Sequence, residues 1–185
     1  MDQHNFLPGK IDKCQICSSK NLTQIIDLGD QPLANTLQKN FKEKQKIEKF
    51  PINVIRCEDC TLLQIDYIVD QAKVYHLNYP YLPGITKTVD NEQKELSNYL
   101  FENLKLKKND IVLDIGSNDG SLLKHFKEKG LNPVGIEPTN IAKIANDNGI
   151  FTLQSFFNVE TVKDVISKKG KAKLITSTNV FAHMS

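Results

Sequence analysis

The sequence predicts an α/β protein in which an incomplete, doubly wound parallel sheet follows a small β-rich N-terminal unit. Three observations carry that expectation. The first is Ile111-Val112-Leu113-Asp114-Ile115-Gly116-Ser117-Asn118-Asp119-Gly120, an apolar run that meets an acid and then two glycines. It reads as a buried strand, a sharp turn and a helix start, because Gly116 and Gly120 let the backbone turn steeply and approach a ligand closely. The second is the alternation, from residue 111 onward, of short apolar runs with amphipathic stretches of about ten residues, the pattern of successive β-α units. The third is that all four cysteines, in Cys14-Gln15-Ile16-Cys17 and Cys57-Glu58-Asp59-Cys60, precede those units.

Bulk composition narrows the function classes. A chain of 185 residues holds one full domain, or a small domain plus part of a larger one. Hydrophobic residues make up 39% and charged residues 25%, ordinary for a globular protein, and no apolar run approaches the ~18 residues of a membrane span. No membrane partner is expected. The polar start Met1-Asp2-Gln3-His4-Asn5 lacks the basic and apolar regions of a secretory signal, so a cytoplasmic protein is expected. Net charge is +2, Arg56 is the single arginine, and the lysines are interleaved with acids. That pattern argues against a dedicated nucleic-acid surface.

In chain order, residues 1–73 read as a metal-binding domain. Thiolates two residues apart can both point at one ion from a tight turn, and two such turns complete a tetrahedron, so Cys14, Cys17, Cys57 and Cys60 are expected to hold a structural zinc ion. Disulfides are rare in a cytoplasmic setting, and a redox motif would need only one pair. The 39 residues between the pairs must hold a folded insertion. Within it, 22–28 reads as a strand closed by a turn at Gly29-Asp30-Gln31-Pro32, the mixed-charge run 39–46 as a solvated loop, and 50–55 and 61–65 as a hairpin around the second pair. So short a unit has little core, and the metal would supply much of its folding free energy.

Residues 74–87 are aromatic and broken by Pro80 and Pro83, which rules out a long helix. This is a linker or a lid, its tyrosines either filling space between domains or reaching a ligand. From Thr88 to Leu104 an amphipathic helix is expected, with Val89, Leu96, Tyr99, Leu100 and Leu104 on its buried face. Beyond the glycine turn, Leu122, Leu123 and Phe126 give the next helix its apolar stripe, and Gly130 ends it.

Asn132-Pro133-Val134-Gly135-Ile136-Glu137 is then a second strand ending in an acid, 23 residues beyond Asp114. An acid so placed can accept both hydroxyl protons of a ribose. The glycine spacing is not that of a dinucleotide site, because the third and sixth positions counted from Gly116 hold Asn118 and Ser121. Asp114 would also repel a pyrophosphate, so a cationic or neutral ligand is expected. Helix 141–148, strand 151–154, helix 159–168 and strand 174–178 complete the pattern. Four strands are fewer than the six usual for such a sheet, which predicts a fragment.

With these motifs in place the second domain, residues 88–185, resembles the N-terminal part of a class I S-adenosylmethionine-dependent methyltransferase, Rossmann-like in fold. Taken with the cysteine pairs, Asp27-Leu28-Gly29-Asp30-Gln31-Pro32-Leu33-Ala34-Asn35, Gly135-Ile136-Glu137-Pro138-Thr139 and Asn179-Val180-Phe181-Ala182-His183, the chain is similar to the sugar C-3' methyltransferases that act on nucleotide-linked keto-deoxysugars. That family joins an N-terminal zinc domain, a methyltransferase domain and a related C-terminal domain, and this sequence is expected to be a fragment that holds the first and part of the second.

The resemblance implies roles for particular residues. Gly116, Asn118, Asp119 and Gly120 would hold the methionine and ribose portion of S-adenosylmethionine, Asp114 would lie near its ammonium group, Glu137 would take the ribose hydroxyls, and Phe156 and Phe157 would meet the adenine. Asn179 and His183 would stand at the active-site end of the fourth strand, and Tyr79 and Tyr81 would reach the substrate. The family's acid, histidine and tyrosine cluster, carried further along a complete member, is expected to lie beyond this sequence, so the resemblance implies His183 as a candidate participant in proton abstraction rather than an established base. The implied reaction removes a proton from a carbon beside a ketone, stabilises the enolate and transfers a methyl group to that carbon. The alternatives are another small-molecule acceptor, or a non-catalytic zinc- and cofactor-binding module.

Overall fold

A computed structural model of the chain describes residues 7–34, 36, 40, 47–75, 79–181 and 184. The chain divides into two compact units, Met1–Val74 and Tyr75–Met184.

The first unit is built from β1 (Gly9–Lys10), β2 (Leu22–Pro32), β3 (Lys49–Cys57), β4 (Leu63–Ile65), β5 (Tyr67–Ile68) and a single-turn helix α1 (Gln71–Val74). β2, β3 and β4 form an antiparallel sheet in that order, and β1 pairs with β5. The strands around the second cysteine pair are joined as the expected hairpin, Val54 opposite Ile65 and Arg56 opposite Leu63. Gly29-Asp30-Gln31-Pro32 departs from expectation. It continues β2 to a pairing of Pro32 with Lys49, and the irregularity its sequence signals is absorbed as a register shift between Asp27 and Asp30. An edge strand tolerates a proline and a bulge, because its outer backbone groups face water. Most of the mixed-charge run 39–46 lies outside the described residues.

In the second unit a 3-10 turn, Pro83–Ile85, leads into α2 (Lys87–Asn103). Then follow β6 (Ile111–Ile115), α3 (Ser121–Glu128), β7 (Asn132–Ile136), α4 (Ala142–Asp147), β8 (Thr152–Leu153), α5 (Val159–Lys169) and β9 (Leu174–Thr176). The sheet order is β8-β7-β6-β9, and every pairing is parallel. Parallel neighbours require crossovers, and the helices between these strands supply them.

Side-chain alternation along β6 sends its residues into two cores. Val112 joins Leu122, Leu123, Phe126, Ala145 and Ile150, with Leu96, Leu100 and Phe101 of α2 packed against them. Leu113 and Ile115 join Val134, Ile136 and Val165. Helices therefore cover both faces, as a doubly wound sheet requires. Each fully buried large side chain here, such as Phe126 and Leu123, contributes roughly 1.5–3 kcal/mol by leaving water.

The buried face of α2 is rotated from the expected one. Tyr99 and Leu104 are exposed, whereas Ser97 is fully buried and Leu100 and Phe101 face the core. Ser97 is accommodated because its hydroxyl donates to the Lys94 carbonyl and accepts from Lys129 Nζ of the neighbouring chain segment at 3.0 Å. An apolar stripe drawn from hydrophobic residues alone misses a buried serine with two partners. Among the described residues no helix is long and apolar enough to cross a membrane.

Candidate functional site

Two sites are built by these elements, one in each unit. In the first unit the four cysteine sulfurs lie within 4.8 Å of one another, from Cys14, Cys17, Cys57 and Cys60. The sulfurs of Cys14 and Cys60, and of Cys17 and Cys57, are each 3.5 Å apart, and all four cysteines are free of disulfides. A tetrahedral ion with Zn–S bonds of ~2.3 Å has sulfur–sulfur edges of about 3.8 Å, so the cluster fits zinc with only small adjustments.

Both knuckles have the same local geometry. The residue four past the first cysteine, Ser18 or Thr61, takes a left-handed φ of 61° or 65° and donates its N–H to the carbonyl of Cys14 or Cys57. The Cys17 N–H beside Cys14 brings that thiol down to about 6. Gln64, almost fully buried, accepts from the Gln15 N–H at 2.9 Å and donates to the Lys13 carbonyl, so it fastens the first knuckle onto β4. Sequence reading passed over Gln64. Its signal is a polar residue on the inward side of an otherwise apolar strand.

In the second unit the parallel register brings the loops after β6, β7, β8 and β9 to one sheet edge, the carboxyl end where α/β proteins bind ligands. Gly116 and Gly120 have φ of 71° and 76°. A Cβ on Gly116 would lie 2.4 Å from Val180 Cγ2, so the left-handed backbone and the close packing together exclude any larger residue. The loop is laid across β7, with the N–H groups of Gly116 and Ser117 both donating to the Ile136 carbonyl. Gly135 makes room for it, since a Cβ there would lie 2.3 Å from Ser117 Oγ and 2.6 Å from Thr152 Oγ1.

Glu137 follows β7 directly and is 5% exposed. Its Oε2 accepts the Asn118 N–H at 3.0 Å and its Oε1 the Thr139 N–H at 2.9 Å, which pins the glycine loop to the end of the neighbouring strand. Asn118 has φ of 50° and also donates from Nδ2 to the Tyr81 carbonyl. The carboxylate of Asp119 accepts the Ser121 N–H at the start of α3 and the Gly84 N–H.

Asp114 is 2% exposed at the end of β6. Burial raises its carboxyl to about 7, assisted by the charge of Glu137 and opposed by Thr176 Oγ1, which donates to Oδ1 at 2.7 Å. The folded chain therefore binds more protons at Asp114 than the unfolded chain between the ordinary value of 3.8 and about 7. Stability at this residue is full below that window, falls as pH rises through it and levels off above. Asp114→Asn removes the ionisation, and its stability relative to the parent is expected to rise by roughly 3 kcal/mol between about pH 5 and pH 8. Urea denaturation of the second unit at the two pH values checks this, and equal differences at both would contradict it.

The remaining site residues are placed less tightly. Phe156 and Phe157 follow β8 at the same edge, Phe156 partly exposed and Phe157 packed against the second core. Asn179, with φ of 55°, follows β9 and is exposed. Tyr79 packs on Tyr75 with ring centroids 5.8 Å apart. Burial, then Tyr79 and Glu137, push the Tyr75 phenol up, so Tyr75 stands within electrostatic reach of Glu137. Tyr81 is exposed and held through its backbone. His183 lies outside the described residues. Thr139 and Thr176 were not singled out from the sequence. Thr139 had a local signal as a threonine whose hydroxyl can accept the N–H two residues on, here that of Ile141 at 3.3 Å, while the pairing of Thr176 with Asp114 depends on strand order.

The fit to S-adenosylmethionine rests on these groups. Glu137 uses one acceptor position on each oxygen for a backbone N–H and has others that can accept hydroxyl groups such as those of a ribose. Asp114 is a buried acid without a cationic partner among the described residues, suited to an ammonium group. Ser121 Oγ and Ser177 Oγ, beyond β6 and β9, are buried with no hydrogen-bond partner among the described residues.

Each unit is matched by a family model. Residues 87–185 match a family model described as a methyltransferase domain, and residues 14–75 match one described as a zinc binding domain. C-methyltransferase NovU of Streptomyces niveus is 27% identical over 175 residues, which cover 94% of this chain and 41% of that relative. The chain thus spans about two-fifths of the length of the curated relative it matches. The methyltransferase domain implies S-adenosylmethionine as cofactor, and the zinc binding domain with its four-cysteine cluster supports zinc.

Proposed function

Because the chain belongs to the methyltransferase domain family, whose model covers more than half of it, we propose that it is an S-adenosylmethionine-dependent C-methyltransferase acting on a carbon beside the ketone of a nucleotide-linked deoxysugar. The observation that carries the cofactor half is Glu137, buried at the carboxyl end of β7 and tied to the glycine loop. The acceptor half rests on the relative that carries the C-methyltransferase name and on the motifs shared with sugar methyltransferases. A cytoplasmic setting accords with unpaired cysteines suited to zinc.

In this reading the bound cofactor supplies an electrophilic methyl group. Glu137 orients the ribose through its free acceptor positions, and the loop 116–120 fixes the neighbouring portion. Asp114 ionises when an ammonium group lies against it, which offsets the cost of burying its charge. Phe156 and Phe157 offer apolar surface to the adenine. Asn179 stands at the same edge to hydrogen-bond the acceptor, Tyr79 and Tyr81 line its approach, and His183 takes part in removing the proton beside the ketone.

The reading is tested by incubating the zinc-loaded chain with methyl-13C S-adenosylmethionine and a nucleotide-linked keto-deoxysugar. A new carbon-bound methyl resonance is expected, absent when the ketone is reduced to an alcohol. A methyl resonance on oxygen, or transfer indifferent to the ketone, would overturn the assigned reaction.

A further inference from the structure

The segment at residues 79–85 carries both tyrosines assigned to the acceptor, and much of it is exposed. Tyr81 is 53% and Ile85 78% exposed, and Pro83 is its only buried residue. Two hydrogen bonds join it to the cofactor loop. Asn118 Nδ2 donates to the Tyr81 carbonyl at 3.1 Å, and the Gly84 N–H donates to Asp119 Oδ2 at 3.1 Å. Asn118 is itself held by Glu137 through its own N–H, and its Oδ1 accepts the Asp119 N–H at 2.8 Å. A continuous chain of contacts therefore runs from the ribose acid through the loop to the tyrosine segment.

Gly84 belongs to the same device. A Cβ there would lie 2.6 Å from Asp119 Oδ2 and 3.2 Å from Ser121 Cβ, so the carboxylate sits directly over the glycine. The backbone of Gly84 is not left-handed, and the requirement is one of space. The other oxygen of Asp119 meets the Ser121 N–H, which fixes the direction in which Oδ2 points.

We infer that Asp119 is a positioning residue that couples the 79–85 segment to the glycine loop, so that cofactor binding firms the segment bearing Tyr79 and Tyr81 before the acceptor enters. The inference rests on the proposed cofactor site. A ligand that quiets the loop reduces the local opening of whatever the loop holds, and the coupling is reciprocal. The order of binding then follows, with cofactor first and acceptor second.

Hydrogen exchange with and without S-adenosylhomocysteine tests this. In the parent chain the ligand is expected to slow exchange across 79–86 about tenfold, the factor supplied by one hydrogen bond to a charged acceptor. Gly84→Ala pushes the segment off Asp119 while leaving the contact to Ser121, so ligand should still slow exchange in 116–121 but no longer in 79–86. In an Asp119→Ala background, Gly84→Ala should add little, because the obstructing oxygen is gone and only the 3.2 Å approach to Ser121 Cβ remains. Ligand binding that leaves 79–86 unchanged in the parent overturns the inference alone, as does protection that persists in Gly84→Ala. Absence of ligand binding to the folded parent overturns the cofactor site, and the inference with it.

Discussion

Chelating zinc is expected to unfold the first unit, residues 7–74, while the second keeps its sheet. The reason lies in where apolar surface is buried. Both hydrophobic clusters among the described residues belong to the second unit. Among the described residues, the buried apolar side chains of the first unit are Ile11, Phe50 and Ile55 beside Cys14 and Cys57, while Ile25, Ile26, Leu28, Leu63 and Ile65 are exposed. So small a core cannot offset the entropy of ordering the chain, whereas a structural zinc site of this kind contributes an apparent ~10–16 kcal/mol near neutral pH. Cys57→Ala, which removes a fully buried ligand, should act as chelation does. Hydrogen exchange on the full chain reads both. Protection of β2 and β3 should vanish with the metal and return on adding zinc, and protection that survives metal loss would show that the sheet holds itself together.

Glu137→Ala is expected to lower affinity for S-adenosylhomocysteine at least about 100-fold, the effect of losing a carboxylate that tethers the loop and is proposed to accept the ribose hydroxyls. Two backbone donors, Asn118 N–H and Thr139 N–H, would lose their acceptor, and Thr139 is fully buried. Stability should fall with it, by roughly 1–3 kcal/mol. Glu137→Gln separates charge from shape. An amide keeps one acceptor oxygen but turns its nitrogen, a donor, toward one of those two N–H groups, so it should recover little of the affinity. Calorimetry with thermal melts of the three proteins checks this, and a Glu137→Ala chain that binds as the parent does would remove Glu137 from the site.

Much of this was legible in the sequence because it was written locally. The strand, turn and helix at 111–128 are specified by an unbroken apolar run, two glycines and a 3.6-residue stripe, and each appears where that pattern placed it. The cysteine pairs likewise converge as their spacing required. What escaped depends on contacts between distant segments. Neither the partnership of Thr176 with Asp114 nor the fit of Ser117 against Gly135 is readable before strand order and register are known. Asp119 illustrates the limit most clearly. Its place in the glycine loop marked it as a ligand-binding residue, yet both of its oxygens meet backbone N–H groups, one of them from a segment 35 residues earlier. Gln64 and Ser97 were hidden for the converse reason, since polar side chains are buried only where tertiary partners satisfy them.

The central claim is that the loop after β6, together with Glu137, binds S-adenosylmethionine. Titration calorimetry of the zinc-loaded chain near neutral pH tests it most directly. One molecule of S-adenosylhomocysteine should bind per chain, S-adenosylmethionine should displace it, and NAD should neither bind nor compete. A folded, zinc-loaded chain that gives no heat with S-adenosylhomocysteine, or that binds NAD in its place, would contradict the account.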